Sequence, residues 1–186
     1  MASGTVAYWD SVTERKYRAM QRRHPLIWNF VHNAIQAWQV KSVLEVGCGL
    51  VPKAKEWVPI YQGIDLNRAT DAIHEDFSRM PESALKPWRN VDLFLACGVL
   101  EHIEAGYEAF LWQVKALQPR RAILTFFHGL HWDADSCEKD PRGFYVHVYN
   151  QTKLETFLSN HGFNFEIQEL GPHDTVLLLE DASYVH

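Results

Sequence analysis

The chain has few cysteines, no long apolar run and no excess of positive charge. Cys48, Cys97 and Cys137 are its only cysteines, widely spaced and without a Cys-x-x-Cys pair, which argues against a disulfide framework and a thiolate zinc site alike. Cys48 and Cys97 lie in apolar surroundings, where a cysteine behaves as a small core residue. No apolar stretch approaches the roughly 20 residues that span a bilayer. The segment Met1 to Asp10 lacks the basic cap and apolar core of a secretory signal. A reduced, cytoplasmic setting without a membrane partner is the expectation. With 18 Lys and Arg against 23 Asp and Glu, the net charge is −5. That balance gives no support to non-specific nucleic-acid binding, although it leaves room for a local basic face. Arg15, Lys16, Arg18, Arg22 and Arg23 form one such run against Glu14 alone; runs of this kind serve either as a solvated helix face or as a contact for anions.

What is present is an ordinary globular composition, 47% hydrophobic over 186 residues, enough for one domain at about 150 residues each. No repeat or Pro/Gly/Ser-rich linker divides it. The expected organisation is a single domain, 1–186, with a helical cover over 1–40 and a core over 41–186. Val12 to His24 reads as a charged helix stopped near Pro25. Ile27, Phe30, Val31, Ala34, Ile35 and Trp38 then keep the spacing of an amphipathic helix. From Lys41 onward short apolar runs alternate with helical periods. Ser42 to Val46, Ile60 to Leu66, Val91 to Ala96 and Ala122 to Phe127 read as buried strands, and Tyr107 to Leu117 as a helix. A second helix follows Asn150 as N-cap and closes at Gly162. Phe163 to Leu170 and Thr175 to Glu180 end the chain as a hairpin. This order predicts a mostly parallel α/β sheet with an antiparallel edge.

In such sheets ligands settle beyond the carboxyl ends of the strands, where strand order reverses. Glu45-Val46-Gly47-Cys48-Gly49 and, 20 residues after Glu45, Asp65 suit that place. Glycines admit a ligand close to the backbone, and a strand-end carboxylate accepts both hydroxyls of a ribose. The third glycine of a dinucleotide fingerprint is missing, because Leu50, Val51 and Pro52 follow Gly49. Glu45 would face a pyrophosphate with the wrong charge and suits the ammonium of an amino-acid tail. These residues favour S-adenosylmethionine (SAM) over a nicotinamide dinucleotide, which leaves an oxidoreductase as a distant rival.

Here the sequence resembles the class I, Rossmann-like SAM-dependent methyltransferases. Val43 to Gly49 is similar to their first motif and Gly63-Ile64-Asp65-Leu66 to their second. Asp76-Phe77 resembles their adenine-contacting pair, and Asp92 to His102 their fourth strand with its Leu-Glu-His ending. The resemblance runs from about Ser42 to Glu180. It implies a three-layer, doubly wound sheet of seven strands with the C-terminal hairpin at one edge and two added N-terminal helices. It implies Glu45, Gly47, Gly49, Asp65, Asp76, Phe77 and Gly98 as cofactor contacts. Only ten residues separate Asp65 from Asp76, where many relatives insert a helix and a strand, so that region is abbreviated.

The resemblance further implies methyl transfer to an oxygen or nitrogen of an acceptor that no motif identifies, with small molecules favoured by the charge. A non-catalytic SAM-binding subunit and an RNA 2′-O-methyltransferase-like enzyme are the alternatives. Glu101, His102 and His147 are the candidate catalytic residues. Some relatives hold a divalent metal with Glu-x-x-Glu-His; here Gly98 replaces the first carboxylate, and no metal is expected. His128, His131 and Trp132 fall in a segment read as a polar loop at the substrate mouth. Tyr8 and Trp9 are positioned to form a lid over the cofactor or to pack as plain core.

Overall fold

The computed structural model describes residues 4–104, 106–127, 130–131, 135–172 and 174–180; for 4–6 and 130–131 it describes the backbone alone. In chain order the elements are α1 (Gly4–Asp10), α2 (Glu14–Arg23), α3 (Pro25–Ala37), β1 (Ser42–Val46), β2 (Ile60–Ile64), α4 (Glu82–Leu85), β3 (Leu93–Cys97), α5 (Tyr107–Leu117), β4 (Arg121–Phe126), β5 (Leu130–His131), β6 (Ser136–Lys139), β7 (Tyr145–Asn150), α6 (Gln151–Asn160), β8 (Asn164–Gly171) and β9 (Asp174–Glu180). Three-residue 3₁₀ turns at Phe77–Arg79 and Leu100–His102 matter for the site.

Local chemistry sets the helix ends. Thr13 caps α2 by accepting from the Lys16 amide, and Pro25 opens α3, so the chain turns between two helices at His24. Asn150 caps α6 by accepting from the Lys153 N–H at 2.9 Å. The strands alternate faces, as period-2 geometry demands. Val43, Leu93, Leu95 and Ile123 pack against Ile27, Val31 and Ile35 of α3. Leu44, Val46, Phe94, Ala96 and Leu124 face Phe110, Leu111 and Val114 of α5 and Leu154 and Leu158 of α6. Each Val, Leu, Ile or Phe among them contributes about 1.5–3 kcal/mol by leaving water, and the outcome is three layers, helix on sheet on helix.

The main sheet has six strands in the order β2-β1-β3-β4-β9-β8, which corrects the expectation of seven. β1 pairs in parallel with both β2 and β3, β3 with β4, and the β8–β9 hairpin adds antiparallel to β4. The missing strand is the one beyond β2. A further parallel strand there needs a crossover of a dozen or more residues, and only eight residues separate Ile64 from Ile73, the next position to pair with it. All that remains is a single parallel bridge, Ile64 to Ile73. A second, three-stranded sheet of order β5-β7-β6 was not foreseen, and the N-terminal cover has three helices, not two.

The chain crosses from β2, on one side of β1, to β3 on the other. The carboxyl ends of β1 and β3 therefore flank a topological switch point. Among the described residues, no helix is long and apolar enough to cross a membrane.

Candidate active site

A cavity of about 330 Å³ opens at the carboxyl ends of β1, β2 and β3, with the N-terminal helices contributing part of its wall, within the size of small-molecule sites. Glu45, Gly47, Asp65, Asp76, Phe77, Gly98 and His102 all line it. Gly47 and Gly98 have positive φ, +70° and +64°, and turn the chain sharply off β1 and β3. Each is also crowded: a Cβ on Gly47 would stand 2.4 Å from Val99 Cγ2, and one on Gly98 2.2 Å from the Phe127 ring.

Glu45 is 2% exposed. Its Oε2 accepts the Tyr61 hydroxyl at 2.7 Å, and no described residue bonds to Oε1. Burial pushes its carboxyl up to about 8, opposed by the Tyr61 hydrogen bond and reinforced by the neighbouring Asp65. Asp65 accepts the Gly49 N–H through Oδ2 and the Asn67 N–H through Oδ1, both at 2.7 Å. Its carboxyl also lies above the usual range, because burial outweighs those two bonds. A carboxylate offers about four acceptor positions, so roughly two on Asp65 stay open to a ligand. Asp76 caps the Phe77–Arg79 turn by accepting from the Ser78 N–H at 3.1 Å. Phe77 is buried against Phe94 and Phe110.

His102 donates from Nδ1 to the Tyr145 carbonyl at 2.7 Å. A carbonyl only accepts, so the proton sits on Nδ1 and Nε2 carries the lone pair. Trp9 and Phe144 lie against its ring, each with centroids 5.3 Å away. Burial in this aromatic cluster holds the imidazole below its ordinary value of 6.5, with the Tyr145 bond opposing and His147 adding to the decrease.

Three expected site residues stand away from the cavity wall. Gly49 holds Asp65 through its amide, while the Tyr17 ring occupies the space a Cβ would take, at 2.3 Å. Glu101 is buried and accepts the Phe127 N–H at 2.8 Å, which fixes the strand end that carries Phe127. His147 stacks on Tyr149 with centroids 5.1 Å apart and takes the Cys137 thiol at 3.4 Å. His128, Trp132 and the side chain of His131 lie outside the described residues. Among the described residues, no group of three or more His, Cys, Asp or Glu is placed to hold a metal ion.

Four lining or bracing residues went unnoticed in the sequence: Tyr17 and Trp28 on the cover, Tyr61 beside Glu45, and Asn67. The last is fully buried and sends Nδ2 to the carbonyls of Trp9 and Val12, at 2.8 and 3.1 Å. Its Oδ1 accepts the Ala69 N–H at 2.9 Å. Asn67 thus ties the loop after β2 to the segment between α1 and α2, and Asp10 adds a bond to the Arg68 N–H at 2.8 Å. Asn67→Ala strands two carbonyls and an amide, so a loss of about 3 kcal/mol in urea denaturation is expected. Faster cleavage of the N-terminal helices by trypsin should accompany it. A loss under about 0.5 kcal/mol, the level of an indifferent surface change, would contradict the bracing role.

No protein-family model and no curated protein sequence matches the chain. Solved structures do. A complex of DhpI with S-adenosylhomocysteine (SAH) matches with a TM-score of 0.72 at 12% identity, over 95% of each chain. Burkholderia thailandensis 1,6-didemethyltoxoflavin-N1-methyltransferase, with 1,6-didemethyltoxoflavin and SAH bound, matches at 0.63 and 15% identity over 91% of each chain. A SAM-dependent methyltransferase from Clostridium acetobutylicum matches at 0.61 and 10% identity, over 89% of this chain and 98% of that one. The chain has the class I, Rossmann-like fold of the SAM-dependent methyltransferases.

Proposed function

We propose that the protein binds SAM and transfers its methyl group to an oxygen or nitrogen of a small molecule. The observation that carries this reading is the pairing, in one cavity, of a buried Glu45 whose Oε1 has no partner among the described residues with an Asp65 that retains acceptor capacity. SAM brings an ammonium, a ribose diol and an adenine at spacings that ask for such a set. Glu45 would take the ammonium, with Gly47 and Gly98 beneath the methionine portion. Asp65, steadied by Gly49 and Asn67, would take the ribose hydroxyls. Asp76 and Phe77 would bound the adenine. Structures of the same fold whose names include SAH as a bound compound support the assignment.

The bound cofactor supplies an electrophilic sulfonium methyl, so the protein's task is alignment and proton removal. His102 suits the second: its Nε2 lone pair is held in one orientation by the Tyr145 carbonyl. Glu101 acts as a positioning residue through Phe127. His147 supports the floor of the site behind Ile103, to whose backbone it is hydrogen-bonded.

Calorimetric titration with SAH tests the cradle. Binding is expected for the wild type, and Asp65→Asn should weaken it about tenfold, since one acceptor oxygen is exchanged for a donor. No binding at millimolar SAH would refute the reading. Binding without transfer of labelled methyl to any component of a cell extract would point instead to a non-catalytic subunit.

A further inference from the structure

The acceptor's chemistry is open, and the cavity wall bears on it. Beyond the residues assigned to the cofactor, the wall carries four large aromatic side chains: Trp9 from α1, Tyr17 from α2, Trp28 from α3 and Phe127 after β4. Three of the four come from the N-terminal cover, so the cover forms a chamber and does more than shield the sheet. His24, at the α2–α3 junction, stacks flat on Phe127 with centroids 3.7 Å apart and bonds Asp174 at 2.6 Å. That stacking holds the Phe127 ring in one plane.

Charge narrows the choice. Glu75, Asp76 and Glu104 line the cavity, and Arg79 is the one Lys or Arg among its described lining residues. Arg79 is already engaged, 3.4 Å from Asp76 and 3.7 Å from Glu104, and Glu104 also receives the Tyr145 hydroxyl at 2.9 Å. An anionic acceptor would meet a wall of net negative charge whose one lining cation, among the described residues, is already paired. Flat rings, by contrast, gain from contact with several aromatic walls.

We propose that the acceptor is a small, flat, uncharged aromatic compound of one or two rings bearing an O–H or N–H, seated against Trp9, Trp28 and Phe127 with that group toward His102. This rests on the methyl-transfer reading above. In the step itself, His102 Nε2 takes the proton from the acceptor heteroatom. The heteroatom's electron pair forms the bond to the methyl carbon. The carbon–sulfur bond breaks with its pair remaining on sulfur, and His102 later returns its proton to solvent.

The test uses the full chain saturated with SAH, after its own SAH affinity has been measured. Calorimetry and thermal shift then compare 2-naphthol and 5-hydroxyindole with 2-naphthoate and a short single-stranded RNA. The two neutral compounds are expected to bind at least about tenfold more tightly than the carboxylate. Trp9→Ala should remove about tenfold of the 2-naphthol affinity, and Trp9→Phe should restore most of it, with the SAH affinity unchanged in both. Preference for 2-naphthoate or RNA, equal binding of all four probes, or binding of none overturns the inference while leaving the methyl-donor reading intact. Absence of SAH binding overturns both.

Discussion

Glu45→Gln is expected to weaken SAM binding about a hundredfold, the usual effect of stripping one partner from a buried charge pair, and at the same time to stabilise the ligand-free protein at alkaline pH. Both effects follow from one carboxyl. Glu45 is buried with one hydrogen bond among the described residues, and its pKa is pushed from 4.5 to about 8. The folded state therefore holds a proton that the unfolded chain releases. Stability from this group is complete below 4.5 and is lost as pH rises to about 8. The whole shift corresponds to about 5 kcal/mol as an upper bound. Glutamine keeps an acceptor for Tyr61 and titrates nowhere in this range. In urea denaturation the variant should match the wild type near pH 5 and exceed it by several kcal/mol, up to about 5, at pH 9. Asp65, also raised by burial, pulls in the same direction and is left in place in both proteins.

The ammonium of SAM reverses that balance by favouring the ionised carboxylate. Binding should then expel close to one proton at pH 7, and the affinity should improve about tenfold per pH unit up to about 8. Titrations in two buffers of different ionisation enthalpy read the proton directly. Glu45→Gln should release clearly fewer, with only Asp65, also raised by burial, left to contribute. An equal proton count in both proteins, or a variant that loses stability at pH 9, would show that Glu45 is not the residue that meets the ammonium. Tyr61, Cys48, Cys97 and Asp65 are the other titratable groups coupled to Glu45. Of these, the Tyr61 hydroxyl and both thiols are raised further from neutrality by burial, so they do not supply the proton.

The strand ends were legible in the sequence because there the backbone itself sets the pattern. Ser42–Val46 is a strand in the structure with the bounds its apolar run suggests, and Gly47 turns where its missing side chain allows. What escaped are contacts set by chain crossings. Asn67 meets Trp9 across 58 residues, and nothing local distinguishes it from any polar residue after a strand. Tyr61 has a fainter signal: a Cβ on Gly63 would press on Cys48 Sγ at 2.6 Å and stand 3.3 Å from the Tyr61 hydroxyl. The bare position at Gly63 is what lets that hydroxyl reach Glu45 on the adjacent strand. Glu101 and His102 show the limit of a motif. The 3₁₀ turn over Leu100–His102 places successive side chains about 120° apart. One neighbour is therefore turned toward the Phe127 amide and the other toward the cavity. His147 lies on a strand that carries no alternation clear enough to announce it; there it stacks between Tyr145 and Tyr149 on one face, away from the cavity.

His102→Ala should lower kcat by about 10² to 10⁴, the range for a lost general base, and leave the SAH affinity near wild type because the cofactor cradle is untouched. The geometry that motivates this is the fixed tautomer: Nδ1 is committed to the Tyr145 carbonyl at 2.7 Å, so only Nε2 can accept a proton. Burial between Trp9 and Phe144 keeps the ring neutral to a lower pH than usual. The wild-type kcat should therefore be flat across neutrality and fall only as pH drops below the ordinary 6.5. The acid limb should be absent from the residual activity of His102→Ala. A residue that merely filled space would lower kcat without removing that limb, so the pH profile separates the two roles. His102→Asn adds a second reading: its amide nitrogen, bonded to Cγ as Nδ1 is, can still donate to the Tyr145 carbonyl, so folding should recover while the proton acceptor does not. An asparagine variant with wild-type kcat would transfer the base's role elsewhere. With alanine and asparagine both slow and only alanine destabilised, the fall in rate belongs to the lone pair on Nε2 and not to the packing around it.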